Sequence, residues 1–345
     1  MGFLGLGRSH IPYDMFDMAR SAAEARRYAK CENIYHKGQE LAWDGKEILP
    51  MLIEKHGGIH IEAEAKESLK RLFAIIMWGE LAAWKISAQL ADRLEPLEAK
   101  MAATSQAHDE ARHFYTMYDY LERLGYLPER MDRAPQALLD LVLDTDVLVH
   151  KLIGMQLMIE SIALAIFQEV RELEPEPVLA ELMQYYERDE ARHVGLGMQY
   201  LPEMMRHMSR LELVRMTLFQ GQLVAYALWE NKVLEKDFEK LGIDPRRIIE
   251  RARSKQMVAL EQAFEALGLD LEDSRGPLMS AINAVIELVF PTEATRGSLP
   301  ARAQAAWRAL RSLPDHDADA LAVHGGHRIK TARGGIAEPE PASAG

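Results

Sequence analysis

Apolar positions recur at intervals of three and four along most of the chain, and the period-two alternation of Val, Ile and Thr that marks a half-buried strand is hard to find. Ala, Leu, Glu, Met, Arg and Gln dominate, and glycine and proline are sparse before residue 290, which favours helix. Breakers divide the pattern. Tyr13 to about Glu54 reads as one or two helices stopping at Gly57-Gly58; a long helix over about 61–94 ends near Pro96; another over about 97–124 ends at Gly125. After a polar connection from Gly125 to Pro135, a third long helix is predicted over about 136–172. The Glu174-Pro175-Glu176-Pro177 turn then starts a fourth that runs to about Tyr200. Further helices are expected at about 206–241, 245–267, 276–289 and 299–312.

The expected fold class is therefore all-α: a four-helix bundle of two helical hairpins over 61–204, N-terminal helices over 1–60 packed on it, and additional C-terminal helices over 205–313. Residues 314–345 are rich in Gly, Ala, Pro and charge, with too little apolar content to fold alone, and read as a disordered tail. His324 and His327 in that tail have no acidic or cysteine partners beside them and are not taken as a metal site.

With 345 residues, 48% of them hydrophobic, the chain can bury one large core. Its formal net charge of −12, with no basic stripe, argues against a nucleic-acid partner. The single cysteine, Cys31, excludes an intramolecular disulfide and a cysteine-only metal site, and suits a reducing compartment. The N-terminus lacks the basic leader and apolar stretch of a secretory signal. Leu152 to Val170 is nearly long enough to span a bilayer but carries Gln156 and Glu160 near its centre, so a buried bundle helix explains it better. A cytoplasmic protein with no membrane partner is expected.

The candidate chemistry lies in a repeat. Asp-Glu-Ala-Arg-His occurs at Asp109 to His113 and again at Asp189 to His193, eighty residues later. Glu80 stands thirty residues before Glu110, and Glu160 thirty before Glu190. Within each motif Glu and His at i and i+3 share a helix face and can ligate together. Glu80 interrupts an apolar stripe of Phe73, Ile76, Met77, Ala83 and Trp84; Glu160 interrupts one of Ile153, Leu157, Ala163, Leu164 and Phe167, so both carboxylates should point inward.

The turns supply an independent check, because ligands on antiparallel helices come level only when the hairpin bends midway between them. The midpoints are Glu95, beside Pro96, and Pro175. At 1.5 Å per residue each pair would sit roughly 22 Å from its turn. The connection from Gly125 to Pro135 could stretch roughly 35–40 Å, enough for a crossover that lets the second and third helices run parallel. Four carboxylates (Glu80, Glu110, Glu160, Glu190) and two imidazoles (His113, His193) suit two divalent iron or manganese ions, whose four positive charges balance the carboxylates in a dry core.

At these residues, over about 61–204, the sequence resembles the di-iron carboxylate proteins of the ferritin-like superfamily, including monooxygenase hydroxylases, acyl-carrier-protein desaturases and the small ribonucleotide reductase subunit. The resemblance implies a ferritin-like bundle holding two iron ions, or manganese with iron. It implies that Glu80, Glu110 and His113 hold one side of the cluster and Glu160, Glu190 and His193 the other, with one Glu of each motif able to bridge. Asp109 and Asp189 would orient the opposite histidines, and could pair with Arg192 and Arg112. Two positions depart from the family: Met117 stands where a ribonucleotide reductase subunit carries its radical tyrosine, and Leu164 where the hydroxylases carry a threonine.

The function so implied is oxidation of a small, apolar or aromatic organic substrate by activated O2, through hydroxylation, desaturation, N-oxygenation or deformylation. Electrons would come from an external reductase or ferredoxin. Met77, Trp84, Phe114, Met117 and Leu164 are expected to line the pocket, and Gln156 and Tyr186 either to line it or to satisfy neighbours in the core. Glu187 reads as a salt-bridge partner, with a seventh ligand as the alternative. The other functional reading is a ferroxidase, peroxide-scavenging or iron-storage protein. The added helices leave room for a homodimer.

Overall fold

The computed structural model describes residues 17–265 and 277–311, together with the short antiparallel pair Ile329–Lys330 and Ile336–Ala337. His324, His327 and the rest of the expected tail, apart from that pair, lie outside the described residues. Every other regular element among them is helical: α1 (Met18–Arg27), α2 (Ala29–Glu40), α3 (Gly45–Lys55), α4 (Lys66–Arg93), α5 (Leu97–Arg123), α6 (Arg133–Asp144) and α7 (Leu148–Leu152). A π-helical segment (Ile153–Ile159) continues α7 into α8 (Glu160–Leu173), and α9 (Pro177–Arg206), α10 (Arg210–Lys240), α11 (Pro245–Glu265), α12 (Pro277–Val289) and α13 (Leu299–Ala309) follow.

The two hairpins are α4/α5 and α8/α9, bent at the predicted turns. The second is the more elaborate. Glu174 closes α8 in a left-handed conformation (φ 46°), Pro177 occupies the first position of α9, and the Glu176 side chain accepts from the Val178 and Leu179 amides at 3.2 and 2.8 Å. Glu176 is buried and also accepts from Tyr120 Oη at 2.9 Å, tying α5 to the turn.

Reciprocal contacts fix the direction of the helices. Asp109 meets His193 while His113 meets Asp189, so α5 and α9 are antiparallel. Because α8 is antiparallel to α9 across their turn, α8 runs parallel to α5, as a crossover requires.

The predicted third helix is interrupted. The chain after Gly125 first forms α6, then breaks at 145–147 before α7. Thr145 is extended and its hydroxyl accepts from the Val147 amide at 3.2 Å, a local bond that competes with the helix ladder. Buried Lys151 caps α6 by donating to the Val142 and Leu143 carbonyls at 3.0 and 2.8 Å. The crossover thus contains a helix of its own. By length and composition Leu148–Leu173 could cross a membrane, but 83% of its most apolar window is buried inside the protein.

The added helices cover opposite sides of the bundle. α2 and α3 pack on α5 and α9; a Cβ on Gly38 would lie 2.1 Å from Ser105 Oγ, so no larger residue fits there without rearrangement. α10 packs on α4 and α6, and α11 on α8 and α9, where Arg247 and Arg251 reach buried Glu169 at 2.9 and 2.8 Å. Cys31 is buried between α2 and the bundle, and burial pushes its thiol up to about 12.

Candidate metal centre

The bundle brings all six predicted ligands together, each at most 5% exposed. They form two overlapping sets. Glu80, Glu110, His113 and Glu190 offer one group of ligand atoms within 4.8 Å of one another, and Glu110, Glu160, Glu190 and His193 another. Glu110 and Glu190 belong to both, which places one carboxylate of each repeat between the two positions.

Both imidazoles present Nδ1 to the carboxylates and Nε2 to the outside. His113 Nδ1 is 3.0 Å from Glu190, 3.4 Å from Glu80 and 3.6 Å from Glu110. His193 Nδ1 is 2.7 Å from Glu190, 2.9 Å from Glu110 and 3.7 Å from Glu160. On the other ring nitrogen, Asp189 accepts from His113 at 3.2 Å and Asp109 from His193 at 3.3 Å. The aspartates therefore hold Nε2 protonated and turn Nδ1 toward the centre.

Two arginines neutralise these aspartates. Arg112 donates to Asp109 and Asp189 at 2.6 and 2.8 Å, and Arg192 approaches both at 2.9 Å. Burial would raise the Asp189 carboxyl, but Arg192, Arg188 and Arg112 outweigh it and hold it well below the ordinary carboxylate range.

The ligands themselves divide into two kinds. Burial, with help from neighbouring carboxylates, raises Glu80 and Glu160 well above the ordinary range. Glu110 and Glu190 lie between the imidazoles, whose positive charges overcome burial and hold both carboxyls low. His113 Nδ1, Glu110 Oε2 and Glu190 Oε1 are buried without a hydrogen-bond partner and point at the centre. Orphaned donor atoms at this depth are unfavourable unless something binds them. Two divalent cations fit the donor set in charge and ligand type.

Two contributors carried no signal from the repeat. Trp43, in the loop between α2 and α3, donates its indole N–H to Asp189 at 2.7 Å and lies under the Arg112 guanidinium, 4.9 Å from the ring centroid. Gln106 donates to Glu160 at 2.7 Å and Glu110 at 3.1 Å, and itself accepts from Gln156 at 2.9 Å. Its place one turn before Glu110 could have drawn attention to it. Tyr186 stacks on His113 with ring centroids 4.2 Å apart and donates to the His113 carbonyl at 2.7 Å. Glu187 faces Arg171 at 3.0 Å and Gln168 at 2.9 Å, outside both ligand sets.

The expected pocket lining needs correction. An apolar cavity of about 70 Å³ does reach the centre through Glu80 and Glu160, but Met77, Trp84, Phe114, Met117, Gln156, Leu164 and Tyr186 do not line it. Its walls come from Ile75, Ile76, Gly79 and Ala83 of α4, Leu138 and Leu139 of α6, and Met155, Ile159, Ile162 and Ile166 on the rod from the π segment into α8. On α4 the reason is angular. At roughly 100° per residue, Ile76 and Ala83 lie on one flank of Glu80, and Met77 and Trp84 on the other. Trp84 is 41% exposed, whereas Met77 and Met117 pack in the core.

No protein-family model matches the chain, and no curated protein does. Solved structures do. A point mutant of an R2-like ligand-binding oxidase with an aerobically reconstituted Mn/Fe cofactor superposes with a TM-score of 0.53 at 17% identity, covering 72% of this chain and 99% of that one. A second mutant of an R2-like ligand-binding oxidase, also with a reconstituted Mn/Fe cofactor, gives 0.54 at 17% identity, with 72% and 98% covered. The fold is the ferritin-like all-α fold. The buried cluster is able to hold two metal ions.

Proposed function

We propose that this chain is a non-haem two-metal oxidase that activates O2 to oxidise a small, apolar organic molecule. One observation carries the reading: the two ligand sets share Glu110 and Glu190, and the outer ligands Glu80 and Glu160 also form part of the wall of an apolar cavity. A ferroxidase or storage protein has no use for such a chamber.

Glu80, Glu110, Glu160, Glu190, His113 and His193 would hold two iron ions, or manganese with iron, and those ions would supply the redox chemistry. The protein's own residues do the rest. Asp109 and Asp189 keep a proton on each imidazole Nε2, while Arg112 and Arg192 keep the aspartates ionised. Gln106 orients Glu160 from one side. The Ile and Leu walls exclude water and hold a substrate carbon beside Glu80 and Glu160. Electrons would come from an external reductase or ferredoxin.

The test is anaerobic loading with ferrous iron followed by mixing with oxygenated buffer. Two metals per chain, with O2 consumed and no mineral formed, are expected. A cage that accumulates many irons per chain, or a chain that takes up none, would overturn the proposal.

A further inference from the structure

Apart from Glu80 and Glu160, the cavity beside the centre has one polar residue in its wall among the described residues: Glu230, contributed by α10. It stands outside the repeat and outside both ligand sets. It is half-buried, makes no hydrogen bond or ion pair among the described residues, and burial pushes its carboxyl up to about 7. Among the described residues, no Lys, Arg or His lines the cavity.

These charges sort ligands by chemistry. Once ionised, a carboxylate only accepts hydrogen bonds, so Glu230 in that form lacks a donor, which a bound cation beside it would supply while favouring the ionised form. An ammonium group supplies a charge-assisted bond, a hydroxyl only a weaker one, and a ligand carboxylate meets like charge with no cation to offset it. The rest of the wall is hydrocarbon. A water needs about 10–15 Å³ of cavity space, so the volume takes roughly five to seven waters and suits a short chain or a single ring.

We propose that Glu230 is the specificity anchor of this cavity, pairing with the amino group of a small apolar amine whose hydrocarbon part lies between Ile76 and Ile162 and ends beside Glu80 and Glu160. The assignment rests on the cavity being the substrate chamber of the proposed oxidase. It makes Glu230 a binding residue that selects amines over acids.

The test is calorimetric titration of the full chain with n-hexylamine, hexan-1-ol and hexanoate, before and after anaerobic loading with ferrous iron. Hexylamine should bind roughly tenfold tighter than hexan-1-ol, and hexanoate weakest. Glu230→Gln should weaken hexylamine roughly tenfold and leave hexan-1-ol within about threefold. Glu230→Asp, which keeps the charge, should retain the amine-over-acid order. A Cβ on Gly79, in the cavity wall, would meet nothing within 4 Å, so Gly79→Leu should fill the space and abolish binding of all three probes. Equal binding of hexanoate and hexylamine, unchanged hexylamine affinity in a folded Glu230→Gln, a reversed order in Glu230→Asp, or no hexylamine binding at all would overturn the assignment. A chain that takes up two metals and consumes O2 but ignores hexylamine sinks this inference alone. One that binds hexylamine but no metal sinks the oxidase reading alone.

Discussion

Loading the centre with two divalent ions should expel up to four protons. In the metal-free chain Glu80 and Glu160 hold theirs, because burial and neighbouring carboxylates raise both. Burial by itself would lower His113 and His193, but the surrounding carboxylates outweigh it and keep both imidazoles protonated well above 6.5. Two imidazolium charges then balance ionised Glu110 and Glu190. With metal bound, four carboxylates balance two divalent cations and the imidazoles are neutral, so two carboxyl and two imidazolium protons must leave. Joint affinity for the pair should rise by up to about 10⁴ per pH unit near neutrality, about 5.4 kcal/mol at 1.36 kcal/mol per unit per proton. Anaerobic calorimetry with Mn(II) in buffers of different ionisation enthalpy counts the protons. Release of fewer than two per metal pair would refute this account of the site. Stability carries the same signature. The four raised groups stabilise the metal-free fold below their unfolded pKa values and lose that contribution as pH rises through the folded ones. Glu110 and Glu190, held low, contribute above about 4.5 and lose it on acidification. The metal-free chain should therefore weaken as pH rises above about 4.5, where the raised carboxyls begin to lose their contribution, and more steeply above about 6.5, where the imidazoles join them, and the loaded chain much less.

Other substitutions probe the supports of the site. Asp189→Asn removes the charge that Arg112, Arg192 and His113 share, and should cost about 3–5 kcal/mol in chemical denaturation and about 10–100-fold in metal affinity; unchanged metal affinity would show that the aspartate does not position His113. A Cβ on Gly154 would lie 2.6 and 3.0 Å from the two Cγ atoms of Val142, so Gly154→Ala should cost about 1–3 kcal/mol, recovered at least in part by adding Val142→Ala. Glu174→Gly relieves a left-handed non-glycine residue at the end of α8 and should stabilise by about 0.5–1 kcal/mol, read as a raised Tm.

The ligands were legible because helix geometry converts spacing directly into position: an i, i+3 pair twice, an inward glutamate thirty residues earlier twice, and a breaker at each midpoint. The pocket was not, and the π segment is one reason. Reading α-helical phase straight through residues 153–159 carries an error of about one residue into every position before Glu160. Gln156 thus turns to Gln106, while Met155 and Ile159 take the cavity wall. Glu230 and Trp43 were invisible for another reason. Each reaches the site from an added element whose docking no local pattern encodes, α10 in one case and the loop before α3 in the other.

These added elements give a symmetric motif two unlike sides. On one side Asp109, Asp189, Arg112 and Arg192 form a group of zero net charge under α2, α3 and Trp43, buried except for the partly exposed Arg192, with its hydrogen bonds satisfied chiefly within itself. Breaking such a network is costly, so this side should stay shut. On the other side the wall is hydrocarbon, held by dispersion and burial without directional bonds, and Ile76 or Ile162 can shift rotamer without stranding a polar group. The internal sequence repeat builds the metal ligands, but it cannot by itself say which side of them opens onto a cavity. That asymmetry comes from the helices outside the repeat: α2 and α3 close the polar side, and α6 and α10 frame the apolar one and bring Glu230 to it.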